Sequence, residues 1–575
     1  MEVATFWRGF DFWDGSYVLL LVDLPDASRT AGEIFLFQHV LNPLFTALGR
    51  DVALFRLAGL LLLVGASIAA TSGIADALRR AEVPVAAGWE RMACSVSAAC
   101  ATTAYVGAAR VPGYRIVVLI GLLLVLAGLA RLGSGKVSTG AALVGASAVL
   151  VFTGKPTSAA ALFIVVLVAV ALLVPRHAWA RAVLSGLAGT AGAMILVLWL
   201  ADMDPASAIG YLSRGVEVEM ASNAHGEMLS MLGLRPVPIR VLLAFGPLVL
   251  VPLWIAGHDM ARNAETKWPA GAQVLVGLSI PTLAAVLGLW LLSAQDFGGQ
   301  IRMLTVLWAL LAAGSLVVAV RGRAALPASR GRGSLTLVLV ALFMPYVATV
   351  GTNTNFVPTM TQASVFWAIA LMGSGAVIAA NRPEAARLFV PLGLFLVTTT
   401  AVTQVVWFGD GLEGQGVRDA AVSTRALGGK LLLEPETAAI FTRLDQVSAE
   451  HGMAGQPAID LTGYGAAYQL ALGTRPLGRA SFFGTFAGAE RGAEVALGRE
   501  TCPDLASAVV LYADDNPLDV SHALSSHGLD LDSDYVEVTR FHPTHGTERI
   551  RRQTVRVLLP KPGVPATLGC AVEDA

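Results

Sequence analysis

Two aspartates near the start of the sequence have the type and surroundings for acid–base chemistry. Asp11 and Asp14 lie in "FWRGFDFWDGSYVLL", among several aromatic residues. Trp and Tyr favour the headgroup level of a bilayer, so this stretch is expected at a membrane surface. Partial desolvation there raises the pKa of a carboxyl group towards the range useful to a general base. The same pattern also fits an ordinary surface loop whose aspartates cap a helix.

Basic residues at predicted helix ends are candidates for pairing with a phosphate group. Lys155 lies in "TGKPTS", where Pro156 leaves backbone groups available to a ligand. Arg56, Arg302 and Arg115 also lie near helix ends on the same predicted side. A cation near a membrane can bind a phosphate, or it can snorkel to the headgroups as an anchor. Both alternatives stay open for all four residues.

Polar side chains in short loops are candidates for binding a sugar or an acceptor. They are His39 in "FQHVLNP", Asp296 in "SAQDFGGQ", and Thr352, Asn353 and Asn355 in "GTNTN". A buried structural histidine and a solvated turn explain the same residues. Asp202 and Asp204 have the spacing of a metal-binding pair, but Pro205 favours a helix cap instead.

The composition places these residues in an integral membrane protein. Of 575 residues, 55% are hydrophobic and 14% are charged, whereas soluble domains have about 25% charged residues. The net charge of −1 gives no sign of nucleic-acid binding. Apolar runs long enough to cross a bilayer predict about twelve transmembrane helices, at 53–75, 91–109, 114–132, 137–153, 157–174, 183–201, 241–257, 270–293, 302–320, 333–350, 362–380 and 387–408.

The distribution of basic residues predicts the orientation. One alternating set of loops holds fourteen Lys and Arg residues and the other holds five, so the first set is cytoplasmic. Residues 1–52 and the tail then lie on the outer side of a plasma (cytoplasmic) membrane. In the sequence they flank a transmembrane domain at 53–408. An outward amino-terminal segment without a signal peptide needs something to translocate it. We therefore expect a further helix before Phe6 in the intact architecture.

The tail at 430–575 has the pattern of a second, α/β domain. Short β-like runs at 457–463, 507–514, 535–542 and 554–561 alternate with helical segments near 434–450, 464–472 and 517–527. Cys502 and Cys570 both fall in this tail, and an outward location is oxidising. A Cys502–Cys570 disulfide is therefore predicted; the alternative is two separate buried thiols.

Several segments resemble the GT-C superfamily of polytopic membrane glycosyltransferases. The residues that carry the resemblance are "GFDFWDGSYVLL" and "QHVLNPLFTALGRDVALFRLAGLLLLV", with shorter similarities at "VFTGKPTSAAAL" and "PYVATVGTNTNF". The family also has a first helix that precedes the acidic loop.

The resemblance implies a transferase that uses a polyprenyl-phosphate sugar and acts on an extracytoplasmic glycan, lipid or protein acceptor. Asp14, with Asp11 as the second candidate, matches the position of the family's catalytic carboxylate. The family often has an acid directly after this position, where Gly15 stands here. That departure leaves a divalent metal possible, and we expect no obligatory one.

A multi-spanning transporter, or a lipid-linked glycan flippase or polymerase, is the alternative class. Such a protein also has many helices and polar outward loops. Ionisable residues are scarce in the middle of the predicted helices, which favours the transferase.

Overall fold

The structure is a computed structural model. It describes residues 6–12, 14–83, 85, 88–105, 111–222, 328–351, 360, 362–381, 392–394, 396–398, 400–401, 420–480, 488–514, 516, 520–545 and 548–563. Helices and strands are numbered in chain order within these residues.

Five helices in the described residues are long and apolar enough to cross a membrane. They are α3 (Val52–Arg80), α5 (Tyr114–Gly133), α6 (Val137–Gly154), α7 (Pro156–Leu173) and the span Arg176–Leu200, which contains α8 (Trp179–Leu200). Each coincides with a predicted apolar run. Inside a membrane, a run of about 20 apolar residues forms a helix because a helix makes all of its backbone hydrogen bonds within the run. The protein is therefore a membrane protein.

The described part of the predicted run at 91–109 forms a shorter helix. α4 (Trp89–Ala101) ends in a 3-10 turn, Thr102–Tyr105. The hydroxyl of Thr102 donates to the carbonyl of Ala99 at 2.6 Å, and that of Thr103 to Cys100 at 2.7 Å. Threonine hydroxyls that bond back to the preceding turn compete with continued α-helix. The described helix is thus shorter than a membrane span.

Two further apolar helices lie among the described residues. α10 (Ala328–Thr349) and α11 (Val365–Asn381) coincide with the predicted runs at 333–350 and 362–380. The runs at 241–257, 270–293 and 302–320, and most of 387–408, lie outside the described residues. The predicted total of twelve helices is therefore not tested.

The amino-terminal segment contains two helices outside the five spans, α1 (Asp14–Asp23) and α2 (Phe37–Ala47). Every residue of α1 from Gly15 to Val22 is buried. A helix that is apolar on all faces is stable when other parts of the protein bury every face. Part of this burial comes from the tail domain, since α1 shares a hydrophobic core with its aromatic residues, including Phe441 and Tyr468. α9 (Pro205–Ala221) lies after the last of the five spans.

The tail begins with a hairpin that pairs with the amino-terminal segment. β1 (Val422–Ala426) and β2 (Gly429–Leu433) are antiparallel, with Val422 opposite Leu433. The amide of Gly9 donates to the carbonyl of Leu432 at 2.8 Å, and the amide of Leu432 donates to Trp7 at 2.6 Å. Arg8, in the stretch before Asp11, thus forms an isolated parallel bridge with Leu432 of the hairpin.

The rest of the tail is an α/β unit around a five-stranded sheet. Its strand order is β4-β3-β5-β7-β6, with β3 parallel to β4 and β5, and β7 antiparallel to β5 and β6. The strands are β3 (Pro457–Asp460), β4 (Arg475–Pro476), β5 (Val509–Asp514), β6 (Tyr535–Phe541) and β7 (Thr554–Pro560). The helices are α12 (Pro435–His451), α13 (Ala466–Leu472), α14 (Ala489–Leu497), α15 (Cys502–Ser507), α16 (His522–Ser525) and α17 (Glu548–Arg551). The predicted α/β tail is confirmed.

Candidate functional site

Asp11 and Asp14 lie where the amino-terminal loop becomes helix α1. Asp14 is the first residue of α1, and a carboxylate in a first turn is stabilised by the helix dipole. Asp11 is 6% exposed, and its Oδ2 accepts a hydrogen bond from the amide of Gly15 at 3.0 Å. The two acids are therefore held at one helix start.

The environment of Gly15 explains why this position is a glycine. A Cβ atom there would lie 2.7 Å from Cβ of Asp11 and 3.0 Å from its Oδ2. The Asp11 side chain thus occupies the space that a side chain at position 15 would need. The carboxylate next to Asp14 is therefore that of Asp11, and position 15 has no room for another one.

Arg115 pairs with Asp14 across the boundary between the loop and the membrane helices. Its Nη2 lies 3.0 Å from Oδ2 of Asp14, and the two side chains are 26% and 30% exposed. Arg115 is the second residue of α5, and its Nε donates to the hydroxyl of Tyr114 at 2.9 Å. The Tyr114 ring stacks on Phe35 with 5.0 Å between centroids. An aromatic pair therefore supports the cation that meets the acid.

Lys155 lies between α6 and α7 and is 6% exposed. Its Nζ donates to the carbonyls of Thr349 at 3.2 Å and Ala348 at 3.4 Å, at the end of α10. Burial, followed by the positive charge of Arg115, lowers the pKa of Lys155 to about 7. Lys155 and Arg115 are thus close enough to repel each other electrostatically.

The segment "TGKPTS" contacts the start of "GTNTN". The hydroxyl of Thr157 donates to the carbonyl of Val350 at 2.9 Å. Gly351 has a φ of +81°, and a Cβ there would lie 2.1 Å from Oγ1 of Thr157. Only glycine fits such a close approach in this conformation. Two segments chosen from the sequence for polar chemistry therefore meet at one end of the bundle.

Arg56, predicted to bind the donor phosphate, contacts the backbone of the amino-terminal loop instead of an open surface. The side chain is 1% exposed and donates to the carbonyls of Phe6 at 2.6 Å, Gly9 at 3.2 Å and Arg8 at 3.4 Å. These bonds hold the loop that leads to Asp11. We assign Arg56 this positioning role and leave it out of the candidate site.

His39 is buried in α2, with its ring 6.2 Å from that of Tyr211. Burial lowers its pKa to about 4, and nearby Asp26 and Arg29 act in opposite directions. Its Nε2 has no hydrogen-bond partner in the part of the chain that the structure describes.

Asp204 is a helix cap, as the sequence favours: its carboxylate accepts hydrogen bonds from the amides of Ala206 at 2.8 Å and Ser207 at 3.0 Å.

Several predicted residues lie outside the described residues: Asp296, Arg302, Thr352, Asn353, Asn355 and Cys570. Their roles, including the Cys502–Cys570 disulfide, stay predictions. Among the described residues, no group of three or more His, Cys, Asp or Glu side chains is placed to hold a metal ion.

The tail domain packs directly onto the loop that carries the acids. Phe12, between Asp11 and Asp14, stacks on the His545 ring with 3.4 Å between centroids and 17° between planes. Phe10 and Phe12 also make edge contacts with Phe441. The position of the acids therefore depends on the tail as well as on the membrane helices.

A buried ionic network beside the site is not predicted from the sequence. Glu33 is fully buried and accepts from the hydroxyl of Tyr17 at 3.1 Å. Arg479 of the tail lies 3.5 Å from Glu33 and 2.7 Å from Glu219 of α9. A single Glu in the apolar stretch "AGEIFLF" is the one hint of this network that the sequence offers.

No family model matches this sequence, and no curated protein matches it.

Proposed function

We propose that the protein is a membrane glycosyltransferase of the GT-C type. It transfers a sugar from a polyprenyl-phosphate donor to an extracytoplasmic acceptor, with Asp14 as the general base and Asp11 beside it. The observation that carries the proposal is the Asp14–Arg115 ion pair at the junction of the acidic loop and a membrane-crossing helix. An acid and a phosphate-binding cation are the two groups that this reaction requires.

The cations account for donor binding in this scheme. Arg115 presents its guanidinium next to Asp14, and Lys155 lies near enough for its pKa to respond to Arg115. A guanidinium binds phosphate through two parallel hydrogen bonds. An incoming phosphodiester attracts Arg115 and restores the charge of Lys155, so donor binding frees the Asp14 carboxylate from its partner.

The released carboxylate then accepts the proton of the acceptor hydroxyl. The acceptor oxygen forms a bond to the anomeric carbon as the bond from that carbon to the phosphate oxygen breaks, and the electron pair leaves with polyprenyl phosphate. Arg115 and Lys155 neutralise the charge that develops on the leaving phosphate. Direct displacement inverts the anomeric configuration. We propose no obligatory divalent ion, because two cationic side chains are available for this charge.

The orientation in this proposal follows from the basic residues of the loops. The acidic loop, Lys155 and the tail lie at one end of the described bundle, and we place the other end in the cytoplasm because the loops predicted on that side are richer in Lys and Arg. The prenyl chain of the donor then lies among the helices, while the acceptor approaches from the side of the tail domain.

Polyprenyl-phosphate release tests the proposal. Purified full-length protein is incubated with short-chain polyprenyl-phosphate hexoses and pentoses and with acceptor glycan extracted from cell envelopes. We expect acceptor-dependent release of polyprenyl phosphate for at least one sugar. Asp14→Asn removes the base and is expected to lower turnover by about 100- to 10,000-fold.

Asp26→Asn is the matched control, because Asp26 is an exposed acid of the same amino-terminal segment and pairs with Arg29 at 3.4 Å. It should retain full turnover. Loss of activity in both variants, full activity in Asp14→Asn, or no release with any donor would each contradict the proposal.

A further inference from the structure

A groove opens at the end of the bundle opposite the tail domain, where α3 and α5 both end. Its volume is about 330 Å³. Its apolar part is lined by Ala69, Leu124, Ala127 and Leu143, and its polar end by Arg131 and Lys136. The groove thus combines an apolar length with a basic end, within helices that are long enough to cross a membrane.

The charges at the polar end do not cancel. Asp76 also lines the groove, but its carboxylate pairs with Arg79 at 2.6 Å. No carboxylate of the described residues forms an ion pair with Arg131 or Lys136, both of which are exposed. Arg80 adds a third cation nearby, since its guanidinium donates to the carbonyl of Ser134, another lining residue. The polar end is therefore complementary to an anion.

The shape of the groove follows from small residues. A Cβ at Gly73 would lie 3.1 Å from Cβ of Ala130, so glycine lets α3 approach α5 closely at this level. Ala69 and Ala127 line the groove with short side chains that occupy little of its volume. A small inorganic anion would use the basic end alone, whereas an amphiphile fills both parts. We propose that the groove binds one anionic phospholipid, with an acyl chain along the apolar part and the phosphate between Arg131 and Lys136.

Native mass spectrometry of the full-length protein tests this site. The protein is equilibrated with mixed micelles of phosphatidylglycerol and phosphatidylcholine, and the retained lipids are counted. The wild type is expected to retain one phosphatidylglycerol in preference to phosphatidylcholine. R131Q/K136Q should weaken that binding by about 30-fold, because each basic side chain adds to the attraction for an anionic headgroup.

Two further variants test whether binding depends on the position of the charges and on the apolar part of the groove. R176Q/R181Q removes two exposed cations from the same predicted side but outside the groove, and it should bind like the wild type. Ala69→Trp fills the apolar part and leaves the charges unchanged, and it should also lose the lipid.

Four results would overturn the proposal: equal retention of the two lipids, wild-type binding in R131Q/K136Q, wild-type binding in Ala69→Trp, or displacement of the lipid by inorganic phosphate. The folded state of each variant is checked by its elution volume and its Tm without lipid. None of these measurements depends on the proposed transferase activity.

Discussion

Lys155 is the residue of the candidate site whose charge responds to pH near neutrality. Burial and Arg115 lower its pKa to about 7, and a donor phosphodiester keeps one negative charge across that range. Below this pKa the ammonium group attracts the donor, and above it the neutral amine does not. Burial is the larger cause of this shift and the positive charge of Arg115 is the smaller one, and an anionic ligand beside the two cations would favour the charged form of Lys155.

We predict that kcat/KM for the donor falls as the pH rises past about 7, by at most about tenfold per pH unit. Lys155→Arg should abolish this fall, because arginine stays protonated throughout and still carries the charge. The measurement is a pH profile of donor turnover for the two proteins. Identical pH profiles for the two proteins would contradict the assignment of this decrease in kcat/KM to Lys155.

At the scale of elements, the start of α1 depends on Gly15. A Cβ at this position would lie 2.7 Å from Cβ of Asp11, closer than real Cβ contacts. We predict that Gly15→Ala displaces Asp11, lowers Tm by an amount equivalent to about 1–3 kcal/mol, and reduces transferase turnover. Alanine favours helix more than glycine does, so any loss reflects this contact rather than helix propensity.

Gly65→Ala is the control for that measurement. Gly65 lies within α3, and nothing lies within 4 Å of the Cβ that would be added. Its Tm should stay the same or rise slightly. Equal Tm values for Gly15→Ala and the wild type would mean that the Asp11 side chain moves aside without cost.

The elements that the sequence predicts well are those whose signal is local. The five membrane-crossing helices follow from apolar runs, and β3, β5, β6 and β7 follow from short β-like runs that alternate with helical segments. The β1–β2 hairpin is not predicted, because β2 is completed by the distant backbone of Trp7 and Gly9. Asp11, Asp14 and Lys155 can be selected from the sequence by residue type and topology. The pairing of Asp14 with Arg115 cannot, since it requires the folded loop.

At the scale of the whole molecule, Arg479 connects three parts of the chain. Its guanidinium is 6% exposed and lies between Glu33 of the amino-terminal segment and Glu219 of α9. Tyr17, which bonds Glu33, is on α1, three residues after Asp14. The docking of the tail domain is thereby linked to the helix that carries the proposed base. Burial raises the pKa of Glu33, and Arg479 opposes this shift.

Removing Arg479 should therefore loosen the tail as well as destabilise the chain. Arg479→Met removes the cation that pairs with the buried carboxylate of Glu33 and the partly buried carboxylate of Glu219, and breaking a buried pair from one side costs about 3–5 kcal/mol. The triple variant E33Q/E219Q/R479M has no buried charge there and should recover most of the loss. Arg475→Met is the control four residues earlier in the chain: Arg475 pairs with Asp504 at a partly exposed position, where an ion pair contributes about 1 kcal/mol or less. Thermal unfolding in detergent gives the stabilities, and the rate of trypsin cleavage in the tail reports its docking. If Arg479→Met matches Arg475→Met in both measurements, the network does not hold the tail against the membrane domain, and the acids of the loop are positioned by the aromatic contacts and by the hydrogen bonds of Arg56.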